Sequence, residues 1–546
     1  MQVRAHTLSR SVACGVAVLC AVVFVASAAS TAHAAGVVGT GSAASCTDAA
    51  LDAALTGGGL VTFSCGTAPV TIDISTGTGT KTIAVDTTID GGGLITISGG
   101  EVAQVFVVAY GVNFTVQNLT IANGAGAINS GNGTLTVTNC TFTGNSPGGI
   151  VNSHGMLSIV NSTFNGNSGF GIANGGTLTV TNSTFTGNSA SGITTGGGTL
   201  TVTDSSFSDN SAPYGGGILV ENGTLTVANS TFSDNSALGG GGIEALSDYD
   251  ADGYPGVVTL TVANSTFTGN SASKDGGAID SEAVGILSIT NSTFINNSAP
   301  IGGGISVHLI PDYSPTFRRE LTAPAFRREL TAPDFQFLLR NTIVANNAGG
   351  NCSIDSGLTI EDDGHNLDDG MSCGFSAANG SLSNTDPQLD PAGLQNNGGP
   401  TQTVALCTGP GMPAGCTAAS PAIGMGNGFV CAEAPVNDRD QRGFVRPGTG
   451  HTVCSMGAYE ADASAPEPCM GDCNGNGLVA INELVLGVNI VLGVEPETAC
   501  PAFANSLELV DIAQLITGVN NALTGCAVPS PIRCVGGTAD GGCQGI

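Results

Sequence analysis

The sequence predicts an all-β chain, a right-handed single-stranded parallel β-helix followed by a small α-helical module. Three observations predict it. A four-residue motif of the type Asn-Ser-Thr-Phe recurs at intervals the length of one coil. An alternating strand such as Thr134-Leu-Thr-Val137 precedes each copy, and an Asn, a glycine cluster and an Ile follow it. Further on, an oxygen-rich loop is succeeded by two stretches of helix-period apolar residues.

The repeat carries most of the argument. Its copies are Asn139-Cys-Thr-Phe142, Asn161-Ser-Thr-Phe164, Asn182-Ser-Thr-Phe185, Asp204-Ser-Ser-Phe207, Asn229-Ser-Thr-Phe232, Asn264-Ser-Thr-Phe267 and Asn291-Ser-Thr-Phe294. Asn118-Leu-Thr-Ile121 is a degenerate earlier copy. Period-2 alternation in the preceding strands buries one face. Three strands of about five residues with their turns need about 20–25 residues, which is one coil. Stacked coils set like residues above one another, so Leu, Val, Phe and Ile form internal ladders. The recurrent Asn residues suit turns whose amides bond along the stack. The Asn-Ser-Thr tripeptides also match glycosylation sequons, but their recurrence at coil spacing marks them as a structural ladder.

Composition agrees. Charged residues make up 10% of the chain and hydrophobic residues 41%, with 83 glycines and no tryptophan. Small and β-branched residues must therefore do the packing. The net charge of −29 disfavours nucleic acid and anionic lipid as partners and suits calcium or cationic ones. Between Val102 and His308 the one Lys or Arg is Lys274.

The first residues read as a secretory signal. Arg4 and Arg10 precede an apolar run over 11–27, and Ala32-His33-Ala34 offers a cleavage site. Segment 1–34 is therefore expected to be removed, with the mature chain secreted or on a bacterial cell surface and without a membrane span. The mature chain's cysteines then read as disulfides. Close pairs are Cys46/Cys65, Cys352/Cys373, Cys407/Cys416, Cys431/Cys454 and Cys534/Cys543, while Cys140 stands alone at a position otherwise held mostly by Ser.

Other elements fall in order. Thr47-Asp-Ala-Ala-Leu-Asp-Ala-Ala-Leu55 before Gly57 predicts a short helix covering the open end of the stack. Segment 35–100 holds this cap and the first coils, and 101–347 the repeats. The duplicated Arg-Arg-Glu-Leu-Thr-Ala-Pro at 318–324 and 327–333 reads as an expanded loop. A Pro-Glu-Pro linker over 461–468 leads to the helical module at 469–526 and a Cys-containing tail at 527–546.

Phe267-Thr-Gly-Asn270 with Gly276-Gly-Ala-Ile279 resembles the repeats of the polymorphic outer-membrane protein family, over roughly Gln117 to Val307. That resemblance implies a pectin-lyase-like β-helix and a surface adhesin; no membrane-barrel pattern accompanies it. Residues 348–460 resemble the choice-of-anchor Q domain through Gly364-His-Asn-Leu-Asp-Asp369, Asn384-Thr-Asp-Pro387, Leu394-Gln-Asn-Asn-Gly-Gly-Pro-Thr401, Ser420-Pro-Ala-Ile423, Asp438-Arg-Asp-Gln-Arg-Gly443 and Gly457-Ala-Tyr-Glu460. This implies an exported surface protein and no particular activity.

Asp472-Cys-Asn-Gly-Asn-Gly-Leu-Val-Ala-Ile-Asn-Glu483 follows the EF-hand loop. Asp472, Asn474 and Asn476 supply oxygens, Leu478 its carbonyl and Glu483 a bidentate carboxylate, so calcium is the expected ion. The module resembles dockerin-type calcium modules, which implies a cohesin-like partner, although the second loop has lost its ligands at Phe503, Leu507 and Gln514. Asp248, Asp250 and Asp252 form a weaker calcium candidate that lacks the closing Glu.

Three further patterns bear on catalysis. Gly370-Met-Ser-Cys-Gly374 has the form of a nucleophile elbow but lacks its strand–turn–helix context. Asp362, Asp363, His365 and Asp386 echo short motifs of β-helical polygalacturonases, without their order or basic clamp. A lyase needs cations to neutralise a uronate, and a coil body with one lysine is poorly equipped. The sequence thus favours a non-enzymatic surface protein engaged in adhesion or contact with a polysaccharide or host ligand. The rival is a carbohydrate-active enzyme, either polysaccharide lyase or glycoside hydrolase, and a third reading is a structural cell-surface spacer.

Overall fold

The computed structural model describes residues 36–247, 256–282, 285–308, 335–465, 470–473, 479, 481–492, 500–503 and 512–524. The signal segment, Asp248, Asp250, Asp252, the Arg-Arg duplication, Asn474, Asn476, Leu478 and the Cys534/Cys543 pair lie outside them.

Each motif residue has one job. The Asn adopts a left-handed turn, with φ of 52° at Asn139, 51° at Asn161 and 47° at Asn182, a conformation that Asn tolerates better than most residues. This bends the chain between the Thr-Leu-Thr-Val strand and the Phe strand. The Ser then points inward, and its hydroxyl accepts from the backbone of the coil before it, as in Ser162 N to Ser183 Oγ at 3.1 Å. The Thr points outward and the Phe inward. Parallel pairing holds this register from coil to coil, Phe142 opposite Phe164 and Phe164 opposite Phe185.

The described coils build one 24-stranded parallel sheet, bent at the Asn turns, and a second sheet of 11 parallel strands running from Lys81–Ile83 to Cys352–Ile354. A pair of short strands, Ser236–Gly239 and Ser271–Asp275, forms a corner between them. The core is a set of ladders. The rings from Phe142 to Phe294 stack with centroids 4.6–4.8 Å apart, a geometry that contributes beyond area burial alone. A buried amide ladder runs beside them. Asn188 donates to Asn210 at 2.8 Å, Asn210 to Asn235 at 2.9 Å and Asn235 to Asn270 at 2.9 Å. Each Asn also donates to a Phe carbonyl of the preceding coil, as Asn210 does to Phe185 at 3.0 Å. No amide in this run is left unpaired, which is the condition for burying polar groups.

The cap helix α1 spans Asp48–Leu55, N-capped by Thr47 as its sequence suggests. Leu51 is buried beneath it. Lys81, also buried, pairs with Asp48 and with Asp52 at 2.8 Å, tying the cap to the first coils. Four expected disulfides are present, Cys46–Cys65, Cys352–Cys373, Cys407–Cys416 and Cys431–Cys454. A fifth, Cys473–Cys500, was not anticipated. Cys140 is buried in the serine rank, and desolvation pushes its thiol up to about 11, so it is inert. Disulfides of this number fit an oxidising, extracellular or surface setting. Among the described residues no helix is long and apolar enough to cross a membrane.

Coiling continues past Asn347, through Ile360–Asp362 and Leu367–Asp368 to Leu382–Ser383. The chain then reverses. An antiparallel hairpin, Leu389–Gln395 with Thr403–Leu406, and a short helix α2, Gly428–Ala432, belong to a segment that lies back along the outer face of the large sheet. We call it the clamp. Thr231 Oγ1 donates to the Gln402 carbonyl at 2.6 Å, and Gln441 Nε2 reaches the Ser230 carbonyl at 3.2 Å. Asn264 donates to the Arg439 carbonyl at 3.0 Å, and Ala458 N to Thr293 Oγ1 at 3.0 Å. The motif residues Asp440, Arg442 and Glu460, together with Arg446, are buried inside it as two ion pairs, with Arg442 lying against Phe444 and Tyr459.

In the C-terminal module, α3 spans Ile481–Val491 and α4 spans Ile512–Thr524. Phe503 is buried where Gly487 and Gly518 leave room for its ring. The position that reads as a lost ligand is thus a core residue.

One member of the Asn turn rank is acidic. Burial pushes the Asp204 carboxyl up to about 6, against an accepted bond from Asn229. The folded state therefore binds this proton more tightly than the unfolded chain. The resulting stabilisation is complete below about pH 4 and is lost as the pH rises through about 6. Asp204→Asn is expected to raise stability by about 2 kcal/mol at pH 8 and by almost nothing at pH 4. Urea unfolding at the two pH values measures this; an equal effect at both would refute the assignment.

Candidate functional site

The second sheet carries its chemistry on one outward rank. In its strands Ile243–Leu246, Ile279–Glu282 and Ile305–His308, the residues Ile243, Ile279 and Ile305 point into the core. Alternation then turns Glu244, Asp280 and Ser306 outward, in register with one another. Two residues on, Glu282 stands opposite His308. The short-strand corner adds Lys274 and Asp275, whose side chains pair at 3.0 Å. Lys274, the solitary lysine of the repeat region, therefore stands among carboxylates from adjoining coils.

The inner pair is closed off, with Glu244 2% and Asp280 3% exposed. Both lie under the Gly239–Gly240 turn, where a side chain at Gly239 would collide with their oxygens. Glu244 Oε2 has no hydrogen-bond partner. Burial, and then the Asp280 and Glu282 carboxylates, hold the Glu244 carboxyl well above the usual range, with Lys274 opposing. The Asp280 carboxylate, with Oδ1 3.3 Å from His308 Nδ1, raises the proton affinity of the imidazole against its own burial. The corner thus sets a carboxyl of raised proton affinity beside a second acid and an imidazole whose proton affinity is also raised.

The rim is open. Lys274 exposes 77% of its side chain. Tyr214 and Ile301 are exposed on the rank set by the bridges Tyr214–Gly239 and Asp275–Ile301, which includes Asp275, and Leu238 is exposed one residue before Gly239. A flat aromatic face next to carboxylates and an ammonium group suits the apolar face and the hydroxyls of a sugar. Sequence reading missed this corner, because Glu244, Asp280 and His308 lie far apart in the chain and fall outside the repeated motif. Lys274 was the available signal.

The residues singled out from sequence have local partners. Asp362 accepts from Ser376 N at 2.7 Å, Ser381 Oγ at 2.8 Å and Asn366 Nδ2 at 2.9 Å, organising a turn. Asp363 pairs with Arg340 at 2.8 Å. His365 Nδ1 lies 2.7 Å from the Met425 carbonyl, and Asp386 caps the turn at Gln388. Among the described residues no hydrogen bond or ion pair joins any two of these four. Ser372 Oγ accepts from Asn351 N, and the next residue, Cys373, is disulfide-bonded, so the elbow pattern is part of a coil turn. In the EF-hand-like loop, Asp472 and Glu483 are both buried, and Cys473 N donates to Glu483 Oε1 at 2.9 Å. Among the described residues no group of three or more His, Cys, Asp or Glu converges on a metal position.

A family model described as "Right handed beta helix region" matches residues 103–252 and 150–310. The coil body is a right-handed β-helix region. Two solved structures share similarity with the chain. One is PfbA, a surface adhesin of Streptococcus pneumoniae, with 14% identity, a TM-score of 0.34 and coverage of 50% of this chain and 87% of that one. The other is the pectate lyase Pel9A, with 14% identity, a TM-score of 0.32 and coverage of 75% and 90%. No curated protein sequence matches the chain.

Proposed function

We propose that this β-helix is an exported surface protein that contacts glycan, with the acidic corner as its contact site. One observation carries the reading: the corner gathers the repeat region's single lysine, an imidazole and four carboxylates beside the exposed Tyr214, Leu238 and Ile301. The test is a panel of acidic and neutral polysaccharides incubated with the mature protein, with and without calcium. Retention and chain length are followed together. Retention without shortening is expected, weakened at least about tenfold by Tyr214→Ala or Lys274→Ala. Retention unchanged in both variants would remove the corner from the contact.

A specific feature favours the rival carbohydrate-active enzyme. A carboxyl of raised proton affinity beside a second carboxyl is the arrangement of a general acid and base. Shortening of any glycan, abolished by Glu244→Gln, would establish that reading in place of adhesion. For the C-terminal module we propose calcium binding through Asp472 and Glu483, together with Asn474, Asn476 and the Leu478 carbonyl. The return of the Glu483 carboxylate to the start of its loop supports this. The family resemblances to surface adhesins and choice-of-anchor proteins, and a cohesin-like partner, belong to the same proposal.

A further inference from the structure

We infer that Lys81 and Asp48 become joined by an isopeptide bond, formed by the folded chain itself with Asp52 as the proton relay, so that the cap helix is fastened covalently to the first coils. The bond is independent of the glycan-contact reading.

The sequence places an ammonium group where the fold calls for an apolar side chain. In the second sheet Lys81 is in register with Phe106, Phe106 with Ile128 and Ile128 with Ile150, and all of them are buried. Lys81 is thus the first rung of an apolar ladder, with its side chain 1% exposed. Burial of a lysine there is tolerated when its charge is paired, or when chemistry removes the charge. Its stem ends at α1, between Asp48 and Asp52, which stand one turn apart on the same face of that helix. Lys81 Nζ touches Asp48 Oδ1 and lies 2.8 Å from Asp52 Oδ1.

The two oxygens of Asp48 have different surroundings. Oδ2 accepts from Thr78 N at 2.6 Å and lies 2.9 Å from Thr78 Oγ1. Oδ1 faces Lys81 Nζ and is buried with no hydrogen-bond partner of its own. Thr78 Oγ1 also lies 2.5 Å from Asp52 Oδ2 and accepts from Lys81 Nζ at 2.5 Å. One carboxyl therefore has an oxygen held by a backbone donor, as an oxyanion requires, and a second oxygen free to leave. The nucleophile is already in contact, and a second carboxylate reaches its protons.

The pair starts ionic. Burial raises the Asp48 carboxyl, but the bonds from Lys81 and Thr78 outweigh it and hold the group below its usual range. Asp52 takes a proton from the ammonium and passes it to Asp48 Oδ1. The freed lone pair forms the Nζ–Cγ bond, and charge gathers on Oδ2 against the Thr78 N–H. A second proton leaves Nζ by the same route, the Cγ–Oδ1 bond breaks, and one water departs. An ammonium and a carboxylate have then become a neutral amide and water, with Asp52 returned to its starting form and no oxidant consumed. Burial favours the product, because the amide removes two charges from the end of the core. A cleft of about 450 Å³ lined by Asp48, Thr71, Asp73 and Thr78 receives the departing water.

The experiment measures the intact mass of the mature chain after full reduction and denaturation. A chain one water lighter than its sequence is expected, with digestion placing the loss in a branched peptide that contains Asp48 and Lys81. Asp52→Ala should keep its full mass while circular dichroism shows the same fold, and Asp52→Glu should restore the loss. Asp48→Asn should arrive at the same final mass as the unaltered chain, because ammonia leaves in place of water. A folded unaltered chain of full mass, a missing water that maps to other residues, or a cross-link retained in Asp52→Ala overturns the inference.

Discussion

Removing a single amide from the buried ladder, as in Asn210→Ala, is expected to destabilise the β-helix by about 4 kcal/mol or more. Asn210 is 0% exposed and its side chain makes four bonds. It donates to Asn235 Oδ1 and to the Phe185 carbonyl, and its own Oδ1 accepts from both the backbone and the side chain of Asn188. Truncation takes partners from buried groups on both neighbouring coils, the Phe185 carbonyl and Asn188 on one side and Asn235 on the other, and each group left unpaired costs about 1–3 kcal/mol. An outward substitution in the same coil, Thr201→Ala, is expected to change stability by less than about 0.5 kcal/mol. Urea unfolding of the two variants makes the comparison. A loss of under about 1 kcal/mol for Asn210→Ala would mean that the ladder is incidental to stability.

The clamp has a comparable weak point at Arg446. Its guanidinium is fully buried and bonds the Glu460 carboxylate at 3.0 Å and the carbonyls of Arg439, Ser455 and Gly457. Glu460 in turn accepts from Gly448 N, Ser455 N and Ser455 Oγ. Arg446→Ala strands that carboxylate without its counter-charge, at a cost of about 3–5 kcal/mol. The clamp should release before the coils unfold, so limited proteolysis is expected to cut within 388–465 while the coil body survives. Pairing Arg446→Met with Glu460→Gln should recover much of the loss, because it removes both charges. If the single and double variants were equally unstable, packing rather than the buried charge would be responsible.

How far the sequence reached depended on the range of the interaction that each feature needs. The Asn-Ser-Thr-Phe repeat was legible because a coil repeats its own local chemistry: a left-handed Asn, an inward Ser, an outward Thr and an inward Phe. Stacking identical units then sets the register without further information. The cap helix and four disulfides were legible on the same grounds, through a local N-cap and short cysteine spacings. The motif Asp438-Arg-Asp-Gln-Arg-Gly443 was visible as a pattern, but nothing in its composition said that it folds inward as buried ion pairs.

The remaining features needed the assembled fold. Gln441 and Ser230 are separated by 211 positions, and no periodicity states which coil a returning segment will meet. Glu244, Asp280 and His308 come together because insertions change the chain distance between coils while leaving the stack spacing constant. Local chemistry was enough to establish that the chain coils and which residues face inward. Which outward residues share a corner, and which face stays open once the clamp has docked, followed from non-local contacts between segments whose local chemistry is ordinary.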